Sequence, residues 1–198
     1  MHTNRFVVAV AVLVASAAFA QFRFDPSTGT CRNGAGEVGL NQGSIGPCAD
    51  LRGAHLEGAR LESLDLRGAN FDGARLKGAS LLASDLGQTS FKGADLSKAS
   101  LRAAKLTGAQ LHGAKLVGAQ LEAAQLDGAV LSEADVRNAC LFRARFEGAD
   151  VRGARFSQAR ALVANARWTG VIADVDTLPF TTAELVSMNV QVSQVASR

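Results

Sequence analysis

The chain has 198 residues, a formal net charge of +3 and 47% hydrophobic residues. That is enough apolar material for one packed core, and too little charge of either sign for a polyanionic or polycationic molecule.

The N-terminal end sets the expected address. Arg5 leads into the apolar run Phe6 to Ala15, and Ala18-Phe19-Ala20 puts small residues at both positions of a cleavage site. Residues 1–20 therefore read as a signal peptide, and the mature chain is expected in the periplasm or outside the cell. The apolar run is too short to span a bilayer, and no later stretch approaches the roughly 20 apolar residues that a spanning helix needs. Residues 21–48 read as a loop-rich N-terminal cap with Gly29, Gly34, Gly36, Gly39, Gly43 and Gly46. Cys31 and Cys48 bracket this loop, and an oxidising compartment keeps disulfides, so they are the expected pair. Cys140 is left over, either an inert thiol or an intermolecular crosslink.

Residues 49–158 repeat with a period of five. From Leu51 to Phe156 every fifth residue is apolar, giving 22 consecutive repeats: sixteen Leu, four Phe and two Val. Two residues earlier stands Ala, except at Leu64, Ser84 and Thr89. A period of five suits neither a helix nor an unbroken strand. It describes a short extended step followed by a turn, with a large and a small residue pointing inward. Gly occupies the second position after the central residue in twelve repeats, as a turn with a permissive backbone requires.

The run ADLRG, AHLEG, ARLES, LDLRG, ANFDG resembles the pentapeptide-repeat family, whose pattern is A-(D/N)-L-x-x. The resemblance implies an all-β solenoid, a right-handed quadrilateral parallel β-helix with four repeats per coil. Over residues 49–158 that makes about 5.5 coils, a column about 26 Å long at the usual strand spacing. Residues twenty apart would then stack, with Phe71 over Phe91 and an interior column of Leu61, Leu81, Leu101, Leu121 and Leu141. Lys, Arg, Gln or Ser often replaces Asp or Asn before the centre, where the family's turn hydrogen bond would be lost.

Residues 159–198 read as a small C-terminal cap. The register slips after Phe156, and Trp168 would return to phase after a two-residue insertion. Thr181-Thr182-Ala183-Glu184 has capping-box spacing and predicts a short helix after Pro179-Phe180. Leu185, Met188, Val192 and Val195 would share its inner face if it continued; alternatively Val190 and Val192 form a final strand.

No phosphate-binding, metalloprotease, C-x-x-C or nucleophile-elbow motif occurs, and neither cofactor nor metal is called for. His55 and His112 fall in different columns. Asp65 and Asp85 would stack about 5 Å apart, close enough for like charge to raise one carboxyl pKa or to draw in a cation. Lys105 follows them one coil on, and a flat face offers no cleft. Arg75, Asp95, Lys115, Asp135 and Arg155 would form a ladder of alternating charge. Between 137 and 167 seven arginines face only Glu147 and Asp150, and arginine clusters bind phosphate and carboxylate groups. The candidate binding patch is therefore Phe142, Arg143, Arg145, Arg152 and Arg155, with no acid expected beneath Arg145. The expected function is an exported, non-enzymatic scaffold holding a macromolecule: an anionic polymer, a lipid headgroup or an envelope protein. A DNA-mimic role against topoisomerases, which the resemblance also brings to mind, needs an acidic exterior. A carbohydrate-active β-helical enzyme needs carboxylates in a groove. The charge argues against a nucleic-acid partner, and the oligomeric state is open.

Overall fold

A computed structural model describes residues 23–32, 41–42, 45–159, 166–174, 178, 182–187 and 189–193. The expected signal peptide lies outside them, as do Arg160, Pro179, Phe180, Thr181, Met188 and Val195.

The five-residue period becomes a four-sided coil. Every fifth residue from Asp50 to Asp135 pairs in parallel with the residue twenty further on, as Asp50 with Asn70, His55 with Arg75, Arg60 with Ser80 and Asp65 with Asp85. Each side contributes a single bridge rather than a long strand. The Leu51 N–H donates to the Asn70 carbonyl, and the Asn70 N–H to the Ala49 carbonyl, both at 2.8 Å. Between sides the chain turns: the Ala119 N–H donates to the Leu116 carbonyl three residues back at 3.0 Å. Only the second corner residue is left-handed, as in a type II turn, with φ from 54° at Ala103 to 68° at Gly78. Twelve of the corners are the glycines noted above; the other ten carry side chains in the same conformation.

Each turn sends the central residue inward. From Leu61 to Phe156 all centres are buried, and the alanines two before them, from Ala69 to Ala154, are buried beside them. Burying one leucine stabilises by about 2 kcal/mol, which no single repeat collects alone. Phe71 stacks on Phe91 with ring centroids 4.9 Å apart. Leu51 and Leu56 are only partly buried because they belong to the first coil. Ser84 and Thr89 replace alanine inside the column without leaving a polar group unpaired. The Thr89 hydroxyl donates to the Leu66 carbonyl at 3.1 Å. The Ser84 hydroxyl donates to the Leu61 carbonyl and accepts from the Leu64 N–H, standing between two groups that bond directly in neighbouring turns. Leu64 itself is 37% exposed.

The N-terminal segment read as loop contains a hairpin. Strands β1 (Arg23–Asp25) and β2 (Thr30–Arg32) pair antiparallel, with Phe24 opposite Cys31. Their connection is fixed by Asp25, whose carbonyl accepts the Gly29 N–H and whose carboxylate accepts the Ser27 N–H. A disulfide joins Cys31 to Cys48, with the Cα atoms 5.7 Å apart. The hairpin lies along the corner at Gly68, where a Cβ would come within 2.7 Å of the Cys31 sulfur and 2.8 Å of the Phe24 ring. The Arg67 guanidinium covers the same ring at 5.3 Å. Strand β3 (Asn41–Gln42) stacks in parallel on β4 (Ala49–Asp50), adding a rung at that end.

At the other end the slip after Phe156 is absorbed without ending the stack. Arg145 pairs with Arg167 and Asp150 with Ile172, each twenty-two residues on. Strand β5 (Ile172–Asp174) then pairs in parallel with β6 (Gln191–Ser193), so the open choice over residues 189–195 resolves to strand at 191–193. Helix α1 (Thr182–Ser187) stops before it because Asn189 turns left-handed, with φ 51°, and donates its N–H to the Val186 carbonyl. Leu178 and Leu185 are buried against the column.

Candidate functional site

Four outward rows follow from the twenty-residue register. One runs Asp50, Asn70, Ser90, Gln110, Val130, Asp150; the second His55, Arg75, Asp95, Lys115, Asp135, Arg155; the third Arg60, Ser80, Ser100, Gln120, Cys140; the fourth Asp65, Asp85, Lys105, Gln125, Arg145 and Arg167. Two corner residues separate each row from the next.

Most charge on these rows is spent within the coil. Aspartate before the centre and arginine after it form a fork at Asp50–Arg52, Asp65–Arg67, Asp135–Arg137 and Asp150–Arg152. In the first, Oδ1 accepts Arg52 Nε–H at 2.8 Å and Oδ2 accepts the terminal guanidinium nitrogen at 2.7 Å. The same two contacts recur at the other three. Hydrogen bonds from the arginine side chain hold all four carboxyls below the ordinary aspartate range.

This changes two expectations. Asp65 and Asp85 are bridged partners, but Arg67 takes Asp65 and Lys105 lies 3.7 Å from Asp85. The Asp65 carboxyl is lowered, not raised. The alternating ladder is in register, yet of its four steps only Arg155–Asp135 closes as an ion pair, at 3.9 Å. Arg75 turns instead to Glu57 at 2.7 Å, and Asp135 gives its short contacts to Arg137.

The five residues proposed as one patch do not share one surface. Phe142 and Arg143 occupy the corner after the third row, Arg145 the adjoining fourth row, Arg152 the corner beyond Asp150, and Arg155 the second row. They ring the coil because consecutive repeats occupy consecutive sides. Arg145 does have acids near it: Asp127 at 3.2 Å and Glu147 at 3.7 Å. Asp127 lies at the next corner one coil below, so counting acids only between 137 and 167 missed it. Arg137, Arg152 and Arg167 are also paired, the last to Glu147 at 3.3 Å. Among the described arginines of that stretch, Arg143 alone has no carboxylate within reach, and its guanidinium lies over the Phe142 ring, 5.1 Å from the centroid.

One corner stands apart. After the third row, the first corner positions are Glu62, Leu82, Arg102, Glu122 and Phe142, and the second Ser63, Ala83, Ala103, Ala123 and Arg143. No glycine occurs there, although all five second positions are left-handed. Three of the four large hydrophobic side chains exposed among the described residues border it: Leu64, Leu82 at 39% and Phe142 at 40%. The sequence held this signal in steps of twenty, where a period of five dispersed it.

Among the described residues no group of three or more His, Cys, Asp or Glu side chains is placed to hold a metal ion, and no helix is long and apolar enough to cross a membrane. Cys140 is a half-buried free thiol in the third row.

A family model described as pentapeptide repeats matches in eight copies, over residues 48–82, 84–122, 104–141, 119–158 and 139–169. No curated protein matches. Similar solved structures include Rfr23 from the cyanobacterium Cyanothece 51142, 24% identical over 58% of this chain and 64% of that one, with a TM-score of 0.41. HetL from Nostoc sp. PCC 7120, involved in heterocyst differentiation regulation, is 28% identical over 64% of this chain and 66% of its own, with a TM-score of 0.24. Full-length QnrB1, a plasmid-mediated fluoroquinolone resistance protein, is 21% identical over 74% and 80%, with a TM-score of 0.37. The match thus spans just under two thirds of the first two structures, and at such TM-scores the assignment rests on the repeat model and the twenty-residue register. The chain belongs to the pentapeptide-repeat family.

Proposed function

We propose that this protein is an exported, non-enzymatic scaffold that binds another macromolecule on the outside of its coil. In this reading about 5.5 coils form the display surface, and the flanking segments cover the strand edges at the two ends. The observation that carries it is the pair Phe142 and Arg143: an exposed aromatic ring under the one described arginine of its stretch that no carboxylate neutralises. Aromatic and arginine side chains together are what interfaces favour. The apolar start of the chain, the small residues at Ala18 and Ala20, and a disulfide between Cys31 and Cys48 support an oxidising address.

An acidic group on the partner, on an envelope protein or an anionic polymer, would meet Arg143. The DNA-mimic reading gains no support from a surface on which four of the aspartates are forked to arginines. Neither does the glycosidase reading, since the stacked Asp65 and Asp85 are each paired to a cation. The test is capture from envelope extract on the immobilised protein, followed by a salt wash. Retention of a defined component that high salt releases supports the reading; an empty eluate at low salt contradicts it.

A further inference from the structure

We propose that the third row and the corner beyond it form a self-complementary surface on which a second copy of this chain docks, antiparallel, about a two-fold axis. This rests on the reading of that corner as a binding surface: the second copy takes the exposed apolar side chains, and Arg143, which the two-fold sets opposite Ala83, is left for the acidic partner.

Reversing the corner about the midpoint between Arg102 and Glu122 sets Arg102 opposite the partner copy's glutamate, and Glu122 opposite its arginine. The same operation sets Leu82 against Phe142 and Phe142 against Leu82, so both exposed apolar side chains meet apolar partners. Ala103 faces Ala123, two small residues that allow close approach. On the flat side four members of the third row meet themselves reversed, Ser100 against Gln120 and Ser80 against Cys140, all neutral, while Arg60 lies beyond the paired stretch and is held by Glu62. The far edge of that side carries Gly58, Gly78 and Gly118 together with Lys98 and Asn138, and the reversal sets Lys98 against Gly118 and Asn138 against Gly78, so each long side chain meets a glycine. A two-fold contact requires residue i to touch j and j to touch i, and this row satisfies that in each pair.

The charges are available. Arg102 and Glu122 stack one coil apart, yet neither has an ion-pair partner within 4 Å among the described residues, unlike the forked aspartates. Glu122 is half-buried, and one of its carboxylate oxygens is buried without a hydrogen bond, so the glutamate must turn outward to meet the arginine of the second copy. The N-terminal hairpin lies along the corner at Gly68, beyond the fourth row, and leaves this side uncovered.

Charge reversal tests the pairing, read as solution mass by sedimentation equilibrium at about 0.1 mM protein, where a contact of modest affinity is populated. The parent is expected as a dimer. Arg102→Glu and Glu122→Arg should each be monomeric alone, because like charges then oppose across the axis. Mixed in equal amounts the two should recover twice the monomer mass, since each supplies the sign the other lacks. An ion pair within one chain cannot give that result. Circular dichroism identifies any variant that has not folded, and Phe142→Ser, which removes only the exposed ring, should independently raise the dissociation constant at least tenfold. A monomeric parent, or variants that stay monomeric when mixed, overturns the proposal. A monomeric parent that still captures an envelope component overturns this inference alone and leaves the scaffold reading standing.

Discussion

Trp168 lies flat on Phe146, with ring centroids 4.4 Å apart and planes 1° from parallel, although twenty-two residues separate them in a coil of twenty. Phe156 meets both rings edge-on, at 6.3 and 5.7 Å. The three aromatics carry the stack across the register slip, and Trp168 is the large side chain that fills its last layer.

Replacing Trp168 by alanine should therefore cost about 3–5 kcal/mol and lower the thermal midpoint of the whole column. Hydrogen exchange should rise first at the amides of Phe146 and Gly148, which donate to Arg167 and Thr169. A loss below about 1 kcal/mol would show that the last coil does not depend on this plug.

Gly68 and Gly73 are both left-handed corners, with φ of 67° and 65°. A Cβ at Gly73 meets nothing within 4 Å, whereas at Gly68 it runs into Cys31 and Phe24. Gly73→Ala should cost about 1–2 kcal/mol from backbone strain alone, and Gly68→Ala distinctly more. Thermal melts in reducing agent provide the control: with the Cys31–Cys48 link opened, the hairpin is free to give way and the difference should shrink.

Ser84→Ala should be nearly neutral, within about 1 kcal/mol. Alanine is the ordinary residue there, and without the hydroxyl the Leu64 N–H is free to bond the Leu61 carbonyl directly, as Ala69 does to Leu66. Ser84→Val, which adds bulk in a filled column, should cost more. Urea titration of the two variants against the parent checks the order.

Much of this was legible in the sequence. The period of five, with alanine two before most centres and glycine two after many of them, separates inward from outward residues between 49 and 158, and the four repeats per coil that the family resemblance implies put Phe71 on Phe91. Three things were not. The hairpin at residues 23–32 is two three-residue strands around Asp25-Pro26-Ser27-Thr28-Gly29, too short for a hydrophobic alternation to stand out. The end of α1 depends on one left-handed residue, Asn189. The nearer charge partner of Arg145, Asp127, comes from another coil, so a net charge summed along the chain counted as a patch what the fold distributes around a ring.

Asp50, Asp65, Asp135 and Asp150 all have carboxyl pKa values lowered by the forked arginines. Their stabilising contribution is full above the unfolded aspartate value of about 3.9, and is lost as pH falls through the lower folded values. Stability from this source should thus be level between about pH 7 and 5 and fall below about 4. Replacing Arg52, Arg67, Arg137 and Arg152 together by glutamine should flatten that acid limb. A thermal midpoint that falls equally with acid in parent and variant would rule the forks out as its cause.

The most direct test of the functional account compares capture by three single variants. Arg143→Gly removes the one uncompensated guanidinium and suits its left-handed backbone, so the fold should hold or gain. Arg145→Gln and Arg152→Gln remove arginines already paired to Asp127 and Asp150. Quantified retention of the envelope component on immobilised protein should drop at least tenfold for Arg143→Gly and stay near the parent for the other two. Equal losses for all three, or an unchanged Arg143→Gly, would contradict the claim that binding centres on Phe142 and Arg143.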